Sequence, residues 1–220
     1  MEDDFTKYDI VIAPFLYMLK DGTIDQIENY VKNGGNFVTT YLFGFVDKDD
    51  FCYLGGFPGD KLKDVFGVWC EETDSLPEGI KNSVEYNGKE YDVVKICDLI
   101  HSQGSEVYGT YQKDFYADYP AITKNTYGKG NAYYIAFRND DNFTDDFCND
   151  LIDTYGVSPD TSIKYDDGVT IRKRGETIFV MNFSDTEKTV TLDKEYKNIV
   201  EETTINGKVK LPVCGYLILE

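Results

Sequence analysis

Tyr8-Asp-Ile-Val-Ile-Ala-Pro14, the capped run from Thr23 through Val31, and Asn33-Gly-Gly-Asn-Phe-Val-Thr-Thr40 decide the fold of this chain, because they read as strand, helix and strand in unbroken order. Ile10-Val-Ile-Ala13 is a short continuous apolar run ending in Pro14. That pattern predicts a strand buried on both faces, as in a parallel sheet. Thr23 and Gln26 stand at capping-box spacing, after which Ile24, Ile27 and Val31 recur along one helical face. Gly34-Gly35 should end the helix, since glycine takes a left-handed C-cap without a side-chain penalty. Asn36 to Leu42 gives the second strand. The three together predict a βαβ unit with a right-handed crossover.

Outward from this unit the character changes in steps. Residues 43–59 are loop-like yet carry Phe43, Phe45, Phe51, Tyr53 and Phe57. Loops normally lie on the surface, so rings at this density need cover, either from their own sheet or from a partner subunit. Leu62, Val65 and Phe66 suggest a short helix closed by Gly67. From Val84 to Tyr108 the pattern alternates, and Tyr86-Asn-Gly-Lys89 is a tight-hairpin signal, which predicts an antiparallel insertion. Ala121 to Thr126 and Asn131 to Phe137 read as strands flanking Gly128-Lys129-Gly130. Phe143 to Tyr155 reads as a helix with Phe147, Leu151 and Ile152 as its stripe and Gly156 as its stop.

Beyond Ser158-Pro159-Asp160 the period becomes nearly two, with strands expected at Val169–Arg172, Thr177–Met181, Thr189–Leu192, Asn198–Val200, Lys208–Leu211 and Tyr216–Leu219. The expectation is therefore two domains. Residues 1–158 form an α/β domain with a mostly parallel sheet, and residues 162–220 a small antiparallel β domain.

The 220 residues carry 40 acidic and 22 basic side chains, a formal net charge of −18. Nucleic acid is disfavoured, because affinity for phosphates comes from Lys and Arg, and anionic membrane surfaces are disfavoured likewise. No apolar run approaches the ~18 residues of a membrane span. Cys52, Cys70, Cys97, Cys148 and Cys214 are odd in number and scattered, neither a disulfide framework nor a zinc set. Met1-Glu-Asp-Asp4 lacks the basic and apolar regions of a secretory signal. A reducing cytoplasm fits these features. Asn142-Phe-Thr144 and Asn182-Phe-Ser184 match the glycosylation triplet, which carries little meaning without a secretory route.

Tyr8 to Pro14, Asn33 to Thr40 and Leu54-Gly-Gly-Phe-Pro-Gly59 resemble the middle, trimerisation domain of family 42 glycoside hydrolases, the bacterial β-galactosidases. The likeness continues through Gly67-Val68 with Glu71-Glu72, Phe115-Tyr116-Ala117, Pro120-Ala-Ile-Thr123, Tyr127-Gly-Lys-Gly130 and Tyr133-Tyr-Ile135. The period-two region resembles the C-terminal β domain of the same enzymes. The resemblance implies a Rossmann-like, class I glutamine amidotransferase-like α/β domain serving as a trimeric assembly surface. It also implies two catalytic glutamates on a (β/α)8 barrel elsewhere. Such a barrel takes roughly 250 residues, more than this chain holds, so the expected role is non-catalytic, with a separate barrel chain as a possible partner. Phe57, Pro58 and Gly59 are the interface residues it points to. The family's middle domain opens with a strand and helix ahead of the segment matching Tyr8, so an N-terminally truncated sheet with an open edge is expected. Where the family often has glycine, Asp118 stands here, and Asp tolerates a left-handed turn better than most residues.

No constellation carries chemistry by itself. Glycoside hydrolysis needs two carboxyl groups flanking the scissile bond, but Glu71-Glu72 and Glu201-Glu202 are adjacent, and neighbours on an extended segment point to opposite faces. A Cys nucleophile of the amidotransferase kind needs a Gly-x-Cys-x-Gly turn, which none of the cysteines has, and His101 is the sole histidine. Gly128-Lys129-Gly130 lacks phosphate-loop spacing. Asn139-Asp140-Asp141-Asn142 with Asp145-Asp146 offers oxygen ligands for Ca²⁺ without the spacing of an EF-hand. No catalytic, cofactor or metal residue is therefore assigned. The competing class is a carbohydrate-binding module using the 18 Tyr and 14 Phe as stacking platforms, although most of these rings alternate with polar residues as core positions do.

Overall fold

Glycine punctuation shapes the first unit of the fold. Its opening elements are β1 (Ile10–Ala13), β2 (Met18–Leu19), α1 (Thr23–Lys32), β3 (Asn36–Thr40) and β4 (Val46–Asp47). Helix α1 ends in a Schellman motif, in which Gly35 N–H donates to Tyr30 C=O at 2.9 Å and Gly34 N–H to Val31 C=O at 3.0 Å. Gly34 has φ +116°, open to glycine and strained for other residues. At the other end the expected capping box is absent. Gly22 is the N-cap without a side-chain bond, and Thr23 is the first helical residue, its buried Oγ1 unpartnered.

The computed structural model describes residues 4–139, 141–158 and 161–220. The chain divides into two units, Met1–Gly156 and Val157–Glu220. Pro159 and Asp160, which mark the expected boundary, and Asp140 of the Asp-rich run lie outside the described residues.

The first unit continues with α2 (Leu62–Phe66), β5 (Val68–Ser75), β6 (Lys81–Tyr86), β7 (Lys89–Ser102), β8 (Glu106–Tyr111), β9 (Pro120–Tyr127), β10 (Gly130–Ile135), β11 (Phe137–Asn139) and α3 (Asp141–Tyr155). The sheet runs β1-β3-β10-β9-β8-β6-β7-β11, with β5 also on β7. Within this sheet only β1–β3 and β3–β10 are parallel and the other pairings are antiparallel, while the separate two-stranded β2–β4 pair is also parallel. The expected Rossmann-like, glutamine amidotransferase-like fold with a mostly parallel sheet is therefore incorrect. The reason is connection length. Parallel neighbours need a crossover of a dozen residues or more, whereas a tight turn makes them antiparallel. Past β4 the strands follow one another through turns such as Asn87-Gly88 (φ +52° and +75°) and Gly128-Lys129, and before α3 only the five-residue α2 intervenes. The opening βαβ unit was extrapolated over a region built from hairpins.

Two further expectations change. Strand β1 is the outer strand of the sheet, so Ile12 is 49% exposed rather than buried. On α3 the buried stripe is Phe143, Phe147 and Leu151, while Ile152 faces out. Val38, Tyr133, Ile135, Phe143 and Phe147 share one core on the α3 face, and Ile27, Val31, Phe37, Phe66 and Tyr134 another on the α1 face.

The second unit contains β12 (Lys164–Tyr165), β13 (Val169–Arg174), β14 (Thr177–Asn182), β15 (Lys188–Thr191), β16 (Tyr196–Asn198), β17 (Thr203–Ile205), β18 (Lys208–Leu211) and β19 (Tyr216–Leu219). They form a five-stranded sheet, β13-β14-β19-β16-β17, and a three-stranded one, β12-β15-β18, with one core that includes Val180, Val190, Leu211 and Leu219. The strand expected at Asn198–Val200 lies two residues earlier.

Candidate functional site

The parallel strands end at one edge of the first unit, and there the chain places a row of aromatic rings. After β1, Phe15 takes φ +51°; after β3, Leu42 takes φ +55° and Gly44 φ +64°. These reversals swing Tyr41 against Phe15 (ring centroids 5.5 Å apart) and Phe15 against Tyr17 (6.4 Å, stacked). Tyr17 then stacks on Phe45 (5.8 Å), and Phe45 on Phe57 (3.9 Å, planes 6° apart). Five rings thus run in continuous contact across three loops, those that follow β1, β3 and β4. Phe43 turns inward instead, packing edge-on against Phe66 at 5.0 Å in the core.

The residues expected at an interface divide. Phe57 supplies the last ring of the row and is partly open, whereas Pro58 and Gly59 are buried within the chain. The Phe57-Pro58 bond is cis. Gly59 N–H donates to Gly44 C=O at 2.9 Å, and a Cβ on Gly59 would lie 2.3 Å from the Tyr53 ring. Glycine there permits the two loops to close on each other. The accessible apolar surface comes from residues not singled out by sequence: Leu54 is 97% exposed between β4 and α2, with Phe51, Phe15 and Met18 also open. The apolar and aromatic run of residues 15–19 and the apolar residues 51–54 are plain in the sequence, but which of these side chains stay open is set by tertiary contacts.

A buried carboxylate fixes the root of this surface. Asp98 on β7 is fully buried; its Oδ2 accepts from Leu42 N–H (2.7 Å) and Tyr134 Oη–H (2.8 Å), its Oδ1 from Thr73 Oγ1–H (2.7 Å). Burial is the largest influence on this carboxyl and raises its pKa against the three hydrogen bonds, which lower it. The sequence offered no sign of it, because Asp98 stands in an otherwise ordinary strand.

The remaining candidates are not assembled into a reactive site. Cys70 is buried in the α1-side core, where burial pushes its thiol well above the usual range, and burial pushes Cys97 up to about 11. Glu71 pairs with His101 on the outer ladder, while Glu72 is paired opposite Leu99 beyond a bulge. Glu201 accepts from Asn198 within a turn, and Glu202 takes φ +54°. Gly128 and Gly130 press on the backbone at the end of α1, a close-packing role. Asp146 accepts from Tyr91 and Lys89, pinning the β6–β7 hairpin to α3. Among the described residues no group of three carboxylate, Cys or His side chains is placed to hold a metal ion. Asn182 is buried, and its amide donates to Thr186 and Pro212 carbonyls, which removes it as an acceptor for glycosylation. Asp118 takes φ +70°, the left-handed turn expected where the family often has glycine.

Comparison with known proteins adds to this geometry. The family profile of the β-galactosidase trimerisation domain matches residues 1–158, and that of the β-galactosidase C-terminal domain matches residues 168–220. β-Galactosidase Pbg of Clostridium perfringens is 46% identical over the whole of this chain, which covers 33% of that protein. β-Galactosidase LacA of Lactobacillus acidophilus is 44% identical over 86% of the chain, covering 29% of the relative. Among solved structures, Gan42B, a family 42 β-galactosidase from G. stearothermophilus, superposes with a TM-score of 0.92 at 37% identity, over 99% of this chain and 32% of that one. The chain thus spans about a third of the length of the relatives it matches. By these matches the chain belongs to the family 42 β-galactosidases, of which it carries the trimerisation domain and the C-terminal domain.

Proposed function

We propose that this chain is the assembling, non-catalytic part of a family 42 β-galactosidase, joining copies of itself through the aromatic edge of residues 1–158, with residues 162–220 as a separately cored supporting domain. The observation that carries this reading is the row Tyr41, Phe15, Tyr17, Phe45 and Phe57, flanked by the almost fully exposed Leu54. A rigid aromatic row with an apolar knob has the composition of an interface core. The charge of −18 opposes approach, but screening over about 8 Å confines that repulsion to near neighbours. Apolar burial at roughly 25 cal/mol per Å² outweighs it once the contact is extensive.

In this reading hydrolysis of terminal β-galactosides belongs to a barrel outside these 220 residues, on the same polypeptide or a separate chain. The outer strand β1 offers such a segment an edge to pair with. Beside it lies a groove of about 430 Å³ between the sheet and α3, lined by Ile12, Pro14, Val38, Tyr41, Phe143 and Phe147. Residence in a reducing cytoplasm belongs to the same proposal. Light scattering across a dilution series tests the assembly: a mass three times that of the chain is expected, and a strictly monomeric mass at high micromolar concentration would overturn it. A chromogenic β-galactoside tests the rest, with no turnover above a matched blank expected.

A further inference from the structure

The only tryptophan and the only histidine of the chain are cross-strand partners. Trp69 on β5 lies directly opposite His101 on β7, so their side chains leave the same face of the ladder. The rings stack with centroids 4.5 Å apart and planes 16° from parallel, and Tyr119 closes on the imidazole at 5.3 Å. One residue on, the ladder is interrupted between Cys70 and Glu72, which leaves Glu71 without a partner in register. Such a bulge re-aims a side chain. Here it brings Glu71 Oε2 to 2.7 Å from His101 Nε2.

This arrangement is unusual for a tryptophan. Most large rings of the chain enter one of three cores, yet Trp69 joins none and keeps 36% of its surface open. The indole is held flat by the imidazole, the imidazole by the carboxylate, so a rigid apolar plane stands beside fixed hydrogen-bonding groups. We propose that Trp69, His101 and Glu71 form a binding site for a neutral saccharide. The C–H face of a pyranose lies on the indole, and its hydroxyl rim donates to the Glu71 carboxylate. The plane is far smaller than the ~800 Å² per partner of a stable protein interface, and the carboxylate with the acidic chain turns anionic ligands away. Hydroxyl donors set on an apolar face are the ligand chemistry left.

The chain's single indole makes the test specific, because tryptophan emission, excited selectively at the red edge where the 18 tyrosines do not absorb, reads this site alone. Methyl β-D-galactopyranoside and methyl β-D-glucopyranoside are titrated into the 220-residue chain, with glycerol as a hydroxyl-bearing blank. A saturable change with a Kd on the order of millimolar is expected for at least one glycoside and none for glycerol. Glu71→Gln should weaken binding by about threefold to tenfold, through loss of a charge-assisted bond. Trp69→Ala should abolish the heat of binding in calorimetry, and Trp69→Phe, which keeps an aromatic plane, should retain part of it. A linear response to both glycosides would overturn the proposal. So would undiminished binding in folded Trp69→Ala, or a response to tetramethylammonium as strong as that to sugar, which would mark a cation site.

Discussion

Asp98 holds Leu42 in place: the carboxylate on β7 accepts the Leu42 backbone N–H at 2.7 Å, where the chain turns through φ +55° to begin the aromatic loop. A left-handed conformation at a leucine is costly, and the bond from a buried acceptor offsets that cost. The interior of the sheet and the outer aromatic edge are thereby joined through one side chain.

Removing that acceptor should be expensive. Asp98→Ala leaves donors of Leu42, Thr73 and Tyr134 without their partner and is expected to lower unfolding stability by at least about 2 kcal/mol in urea titrations. The pH dependence has a definite sign. Because the folded chain raises this pKa, the fold binds the proton more tightly than the unfolded chain does. Its contribution is complete below the unfolded value of about 3.9 and is lost as pH rises through the higher folded value. Asp98→Asn cannot titrate, so its urea midpoint should fall less than that of the parent across this window.

Leu54 and Phe45 separate association from folding. Leu54→Asp alters an almost fully exposed position, so monomer stability should stay within about 0.5 kcal/mol. Its self-association should weaken about tenfold or more in dilution-series light scattering. Phe45→Ala removes the ring stacked on both Tyr17 and Phe57 and should cost about 2 kcal/mol of stability as well as association. Unchanged association in Leu54→Asp would place the contact elsewhere.

Gly130→Ala tests the close approach of the β9–β10 turn to α1. An added Cβ would lie 2.2 Å from Gly35 O and 2.3 Å from Val31 O. Both obstacles are backbone and cannot rotate away, so a loss of at least about 2 kcal/mol is expected by thermal or urea denaturation. Gly88→Ala on the β6–β7 turn meets no neighbouring atom; its cost comes only from φ +75° and should be about 1 kcal/mol.

Limited proteolysis should yield two resistant fragments, one ending near Gly156 and one beginning near Ile163. The first unit's cores and the second's share no residue. Earlier cutting inside β10 or β14 than at the junction would count against two separately cored domains.

Where local chemistry alone decides, the residues told the story. Gly34, Asn87-Gly88 and Gly67 stand where the backbone needs positive φ, and the elements they punctuate follow to within a residue or two. Sheet order was not legible, because β10 inserts between β3 and β9 by long-range packing that no local period encodes. The edge position of β1 was hidden for a related reason: a four-residue apolar run looks the same whether one or both sides are covered. Within the candidate site, Phe57 was visible as one of many aromatics. Leu54 and Asp98 were not, since exposure and burial of a single residue in a loop or strand come from tertiary contacts.

The insertion of β10 beside β3 has a consequence for synthesis. Asn36 to Thr40 leave the ribosome 95 residues before their partners Asn131 to Ile135. During that interval the far edge of β3, with Phe37 and Val38 on its two faces, has no strand to pair with. Closing so long a loop is entropically slow, and non-local pairing is rate-setting for folding. The nascent chain therefore carries its opening βαβ unit as an incomplete sheet, exposed to mispairing, until the β9–β10 hairpin emerges and completes it.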